Sequence, residues 1–313
     1  MIPSQRDVQQ AFDRVRPHVH QTPVLTSRLL DELSGASIFF KCENFQKMGA
    51  FKMRGAINAI LQIPLADQAK GVVTHSSGNF AQAVSLAAKN LGIPAYIVMP
   101  NNAPQVKKDA VVSYGGIIYE SEATIAAREA MASQIQNKTG ATFLHPSNHI
   151  DVILGQGTAA IELLQEQPSL NCIITPVGGG GLLAGSALAA KYFGSSIGVY
   201  AGEPFNADDG YRSLQSGKIE YNTTVNTIAD GLRTHLGDKN FPIIKTLVTD
   251  IIRVEEQEII AAMKLLWERL KIIIEPSCAV PFAALLRDKK TFAGKKVGII
   301  LSGGNVDLTN LPF

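Results

Sequence analysis

The sequence predicts an α/β protein of two lobes, each a parallel sheet flanked by helices. Short apolar runs rich in β-branched residues alternate with longer segments of helical spacing. Turns rich in glycine, serine and asparagine join several of these runs to the helix-like segment that follows. The alternation also restarts at residue 155, which separates an inner block from the rest of the chain. Alternation of this kind implies right-handed crossovers and doubly wound sheets, whose ligands bind at strand C-terminal ends in a crevice.

Taken in order, "ASIFFKCE" (36–43) reads as a strand and "AINAILQI" as the helix after it. "KGVVTHS" (70–76) is a short apolar strand, and "NFAQAVSLAAKNLG" has helical spacing with a glycine stop. "PAYIVMP" (94–100) is a strand, "QVKKDAVVSYG" a helix, "GIIYES" a strand and "TIAAREAMASQIQNKTG" a helix. After the restart come the helix "GQGTAAIELLQEQP" (155–168), the strand "NCIITPV" (171–177), the helix "LLAGSALAAKYFG" (182–194) and the strand "IGVYAGE" (197–203). "EEQEIIAAMKLLWERL" is a strongly amphipathic helix, and "KKVGIILSGG" (295–304) closes as strand and loop. The expected division is a small domain at 67–145 and a large, discontinuous domain at 1–66 and 146–313.

Composition excludes several classes. The 313 residues are enough for a sizeable core, and 46% hydrophobic with 18% charged residues describes an ordinary soluble globular chain. A net charge of +2 provides no basic field for nucleic acid. No apolar run reaches the roughly 18 residues of a membrane span. The N-terminal "MIPSQRDVQQAFDRVRPHVHQTP" reads as a polar amphipathic start, not a signal peptide. Cys42, Cys172 and Cys278 have neither disulfide nor metal spacing, so a cytoplasmic location is expected. The six histidines show no triad or metal spacing, and His145 in "LHPS" is the one worth following.

"GAFKMRGA" (49–56) sets Lys52 among apolar neighbours, with Arg54 two residues on. Desolvation and nearby positive charge lower an amine's pKa and free its lone pair for a carbonyl, which is the expectation here. "VGGGGLLAG" (177–185) places four glycines between a strand and a helix, where inward-turned N–H groups meet an anion such as a phosphate. A tight turn alone needs fewer glycines. Gly179, Gly181 and Ala184 also spell a dinucleotide fingerprint, and Glu203 follows where a ribose-binding acid would sit. A nicotinamide-dependent oxidoreductase is therefore a rival reading of this segment. "HSSGNFAQA" (75–83) is a second such turn, with Ser76, Ser77 and Asn79 placed to hold a carboxylate, or simply to cap a helix. "LSGGNVDL" (301–308) is a third, with Ser302 at a strand end. Three polar turns and one reactive lysine fit a small phosphorylated, carbonyl-bearing cofactor better than an extended dinucleotide.

The motifs "GAFKMRGA", "SSGNFAQA", "GQGT", "PVGGGGLLAG", "TIADG", "EPS" and "LSGGN" occur in this order along nearly the whole chain. Together they resemble the serine racemase and serine/threonine dehydratase family. That family uses pyridoxal phosphate on the two-lobed fold-type II architecture, like the β-subunit of tryptophan synthase. The resemblance implies that Lys52 holds the cofactor as a Schiff base and moves the Cα proton. It implies that Phe51 packs on the ring, Asn79 bonds the ring hydroxyl, and Gly178, Gly179, Gly180 and Gly181 with Leu182 cradle the phosphate. Gly231 would line the ring, and Ser302 would face its nitrogen. A hydroxyl there does not hold the ring protonated, which suits loss of a β-hydroxyl.

"EPFNADD" (203–209) resembles the divalent-cation site of serine racemases, with Glu203, Asp209 and the Ala207 carbonyl as oxygen ligands for Mg²⁺, Ca²⁺ or Mn²⁺. A solvated acidic loop is the plain alternative. Ser77 would stand opposite Lys52 as the second acid–base group, Ser76 would help bind substrate, and Arg128 corresponds weakly to an active-site arginine. The implied activity is serine racemisation with dehydration of hydroxy amino acids, and the implied assembly is a homodimer. A threonine or threo-3-hydroxyaspartate dehydratase with little racemase activity is the near alternative. Two departures stand out: Phe80 where the family has histidine, and Cys278 where it has Gly or Ala. No further segment follows Phe313, so amino-acid feedback control is not expected.

Overall fold

The computed structural model describes residues 2–313. It has ten strands: β1 (Val24–Leu25), β2 (Ser37–Cys42), β3 (Val72–His75), β4 (Ala95–Pro100), β5 (Ile117–Ser121), β6 (Thr142–Phe143), β7 (Cys172–Pro176), β8 (Gly198–Pro204), β9 (Asp250–Val254) and β10 (Lys296–Leu301). They form a six-stranded sheet in the order β1-β2-β10-β7-β8-β9 and a four-stranded sheet in the order β5-β4-β3-β6. Every pairing is parallel except β1 with β2. The α/β class with parallel sheets and flanking helices is as the alternation implied.

Local sequence explains most element ends. Thr124 caps the helix Ile125–Thr139 by accepting from the Ala127 N–H, and Gly140 ends it at φ 73°. Glu255 and Glu258 form a capping box on the helix Glu256–Leu270. Strand β7 is buried at every position, as a central parallel strand requires. The spacing gives two helices too short a start. The helix expected from Gly155 begins at Ile150, and the helix expected from Ala56 begins at Lys52. Strand β9 and the helix Pro276–Arg287 were not expected at all. That helix has almost no polar face, because it lies buried behind the six-stranded sheet, so it shows no amphipathic period.

The "GQGT" segment explains how the site is assembled. A Cβ on Gly155 would lie 2.5 Å from the Arg54 carbonyl oxygen, and one on Gly157 2.5 Å from that of Gly185. Glycine thus lets the helix Ile150–Glu166 touch both the helix Lys52–Leu61 and the helix Gly181–Phe193 at backbone distance. These two helices begin at the lysine and at the last glycine of the two leading motifs. One apolar cluster joins Met53, Ala56, Ile57 and Ile60 to Phe80, Val84 and Ile97, so the Lys52 helix also packs against the four-stranded layer.

Candidate active site

Lys52 opens its helix, and its Nζ donates to the Pro146 carbonyl at 2.8 Å. Two rings face the amine, Phe51 at 5.1 Å and Phe80 at 5.5 Å from their centroids. Desolvation lowers the amine to about 8, although the Glu275 carboxyl opposes this. The expected help from Arg54 is not found. Arg54 is fully buried on the far side, paired to Glu43 at 2.7 Å and to Glu162 at 2.7 Å, so its charge is spent there. Apolar packing, not a neighbouring cation, depresses Lys52.

The segment after β6 links the lysine to the glycine run. His145 Nδ1 accepts from the backbone N–H of Ser147 at 3.2 Å and of Asn148 at 2.9 Å. Burial first, and then the charges on His75 and Lys52, push its imidazole down to about 4, so it stays neutral. A neutral ring that accepts at Nδ1 carries its proton on Nε2. The Ser147 carbonyl then accepts from Asn240 Nδ2 at 3.1 Å, and that same amide donates to the Gly179 carbonyl at 2.8 Å. Gly180 sits at φ 77° and caps the helix Gly181–Phe193. A Cβ would come within 2.7 Å of Leu232 Cα at Gly178, 2.3 Å of Ser147 Oγ at Gly179 and 2.6 Å of Leu236 Cδ2 at Gly180. Only glycine fits this run, and its N–H groups lead into the positive end of a helix dipole, which suits a phosphate. Leu182 is buried just beyond.

The third turn closes the ring of contacts. The Phe51 N–H donates to the Ser302 carbonyl at 3.0 Å, and Ala50 bridges Gly303. Ser302 is only 2% exposed. The Glu275 N–H donates to the Gly303 carbonyl at 3.1 Å. The Glu275 carboxyl takes both bonds from Asn79 Nδ2, at 2.9 and 3.1 Å. Burial raises that carboxyl to about 7, with help from Asp230. Asn305 Nδ2 donates to Asn79 Oδ1 at 2.9 Å. The Gly231 N–H donates to Ser277 Oγ at 3.0 Å, and its carbonyl lies where a Cβ on Gly178 would come within 3.1 Å. Ser76 Oγ accepts from the Gly78 N–H at 3.4 Å. Ser77 is half-buried in the same turn. Lys107 Nζ donates to Asp230 Oδ2 at 2.6 Å.

The chain matches the family model for pyridoxal-phosphate dependent enzymes over residues 15–303. It belongs to that family. It is 47% identical over 312 residues to the beta-hydroxyaspartate dehydratase of Paracoccus denitrificans (strain Pd 1222), covering 100% of this chain and 99% of the relative. It is 51% identical over 309 residues to the serine racemase of Arabidopsis thaliana, covering 97% and 93%. The crystal structure of serine racemase from Dictyostelium discoideum superposes with a TM-score of 0.94 at 49% identity, covering 98% of this chain and 100% of that one. The fold is fold type II, and the chain is a pyridoxal-phosphate dependent enzyme of the racemase and ammonia-lyase kind. The dinucleotide reading of Gly179, Gly181 and Ala184 falls with it. A buried amine held short of full protonation and a cradle that any Cβ would fill both suit pyridoxal phosphate.

Glu203 does not sit free to meet a ribose. Its carboxylate accepts from the Gly210 N–H at 2.9 Å and the Tyr211 N–H at 2.7 Å. Glu203 and Asp209 are 0% and 1% exposed. Burial and the neighbouring Asp209 raise Glu203 well above the ordinary carboxylate range, and burial raises Asp209 to about 7. Ala207 between them is buried too. Two buried carboxylates with no basic side chain bonded to either are a donor set suited to a hard cation. Among the described residues no group of three or more His, Cys, Asp or Glu could hold a metal.

Arg128 stands apart. Its Nε bonds only its own helix, at the Thr124 carbonyl 3.3 Å away, and it reaches the site through its charge on His75. Phe80, the departure from the family pattern, is an apolar wall on Lys52. Cys278 is buried against the backbone of Ser302 and Gly303, and all three cysteines are free. Pro146, Ser147 and Asn240 were not anticipated. Two act through backbone carbonyls and one is a lone asparagine in a loop, so only "LHPS" beside the watched histidine gave any sign.

Proposed function

We propose that this enzyme racemises serine and also dehydrates β-hydroxy amino acids to 2-oxo acids and ammonia. The observation that supports it is the convergence of Lys52 with the Ser76–Asn79 turn, the glycine cradle and Ser302. Lys52 would anchor the cofactor, Phe51 and Gly231 would line its ring, Asn79 would steer it, and Gly178 to Gly181 with Leu182 would hold its phosphate. Ser302 would offer the ring nitrogen a neutral hydroxyl. When bound, pyridoxal phosphate withdraws electrons from the substrate Cα and loosens its proton. Lys52 takes that proton on one face, and the Ser77 hydroxyl serves the other. Ser76 and Asn79 orient the substrate carboxylate beside the first turn of their helix.

Glu203, Asp209 and the Ala207 carbonyl would bind Mg²⁺, Ca²⁺ or Mn²⁺. A homodimer, which rests on the resemblance, a cytoplasmic setting, which rests on the unpaired cysteines, and a lobe boundary at 67 and 145, which rests on the alternation of strands and helices, belong to the same reading. Among the described residues no helix is long and apolar enough to cross a membrane. A dehydratase acting on threonine or threo-3-hydroxyaspartate is the second reading. Its support is the 47% identity to the beta-hydroxyaspartate dehydratase.

Chiral chromatography of serine beside pyruvate release tests the first reading. Racemisation needs both faces, whereas L-serine dehydration needs only that of Lys52. A general acid–base group contributes about 10²–10⁴-fold. Ser77→Ala should therefore lose L-to-D conversion by that factor while L-serine dehydration falls far less. Equal loss of both would make Ser77 a binding residue. A wild type that releases pyruvate but forms no D-serine would leave the dehydratase reading.

A further inference from the structure

The loop from Glu203 to Asp209 is gripped from outside. Arg253 on β9 pairs in register with Glu203 on β8. Its guanidinium stacks on Tyr211 at 3.9 Å and on Phe205 at 4.5 Å from the ring centroids. Its Nη1 donates to Asp208 Oδ2 at 2.9 Å, and Arg212 Nε donates to Asp208 Oδ1 at 2.8 Å. Both oxygens of Asp208 are thus committed to arginines, although Asp208 stands between Ala207 and Asp209 in the chain. The grip continues inward: Arg212 Nη2 donates to Asn222 Oδ1, and Asn222 Nδ2 donates to Asp209 Oδ1 at 2.7 Å. The stacked rings hold the loop from within and from its exit, since Phe205 lies inside it and Tyr211, two residues beyond Asp209, donates its N–H to Glu203.

We propose that Arg253 is a positioning residue for the cation site: stacked between Phe205 and Tyr211, it draws Asp208 away and fixes the loop so that Glu203 and Asp209 face one divalent cation. The proposal rests on the cation reading above. It has a sign that electrostatics alone does not give. Removing a guanidinium beside a cation site should tighten cation binding by Coulomb's law. Removing a part that preorganises the ligands should weaken it, typically by 10–100-fold for groups that orient metal ligands.

Calorimetric titration of Mg²⁺ into the pyridoxal-phosphate-loaded protein measures this directly. The wild type should bind saturably, and Arg253→Ala should bind about 10–100-fold more weakly. Arg253→Lys keeps the charge and loses the planar stack, so it should weaken binding by less than Arg253→Ala. Asp208→Asn releases the grip from its other end, and its loss should not add to that of Arg253→Ala. Circular dichroism and the cofactor absorbance check each fold, and Arg253→Lys carries the test if Arg253→Ala does not fold. A wild type that binds, beside an Arg253→Ala that binds equally or more tightly, overturns the positioning role alone. A wild type without saturable binding, or a Glu203→Gln that binds like it, overturns the cation site and the role of Arg253 together.

Discussion

Lys52 owes its chemistry to what surrounds its amine. Two rings and a backbone carbonyl replace water around it, and desolvation brings it down to about 8. The neutral amine is the nucleophile and the base, so its reactivity should follow its deprotonated fraction. In the cofactor-free protein, labelling of Lys52 by an amine reagent should therefore rise with pH and level off above about 8. Exposed lysines in the same digest should still be climbing there, since an unperturbed lysine titrates near 10.4. Glu275 favours the ammonium, so Glu275→Gln should move the Lys52 midpoint lower. Peptide mapping at each pH reads both effects. A Lys52 midpoint matching the exposed lysines would mean that the amine is not desolvated in solution.

At the scale of elements, the glycine turn was the most legible feature and the helix behind the sheet the least. Four glycines announce a backbone requirement in the sequence itself, and the left-handed φ of 77° at Gly180 shows what one of them is for. Gly180→Ala should be doubly penalised. A side chain in that conformation costs about 1–2 kcal/mol. Its Cβ would also stand 2.6 Å from Leu236 Cδ2 and 2.8 Å from Asn240 Oδ1. The same Asn240 supports Gly179 and Ser147, so the cradle should shift as well. We expect a lower melting temperature and pyridoxal phosphate lost more readily on dialysis. Wild-type values of both would show that the cradle tolerates a side chain. Other parts were illegible for physical reasons. The helix Pro276–Arg287 has apolar neighbours nearly all round and so no period to read. Arg54 looked like a neighbour of Lys52 because they are two apart in sequence. On a helix, however, residues two apart do not share a face.

At the scale of the whole molecule, the Lys52 helix is held between two unlike surroundings. Its apolar side packs against the helix Asn79–Asn90 and the four-stranded layer. Its other side carries Arg54 into a buried ionic group on the six-stranded side. There Glu43 follows β2, Lys41 of β2 meets Glu162 at 2.8 Å, and Glu162 comes from the central helix. Burial alone would raise the Glu43 carboxyl, but the Arg54 guanidinium overcomes this and holds it below the ordinary range. Removing one partner from such a group leaves buried charge uncompensated and costs about 3–5 kcal/mol. A domain's whole stability is about 5–15 kcal/mol, so Arg54→Met should be severely destabilised at pH 7. The pH dependence has a definite sign. In the wild type, Glu43 has a folded pKa below its unfolded 4.5, so its contribution is full above 4.5 and lost only as pH falls through the lower value. In Arg54→Met the same carboxyl is buried without its guanidinium, so its pKa rises and protonation relieves the penalty. Between pH 7 and pH 5 the mutant should therefore recover while the wild type holds, and the gap between their urea midpoints should narrow. A gap that stays constant or widens toward pH 5 would show that lost packing, not an unpaired carboxylate, is what Arg54 prevents.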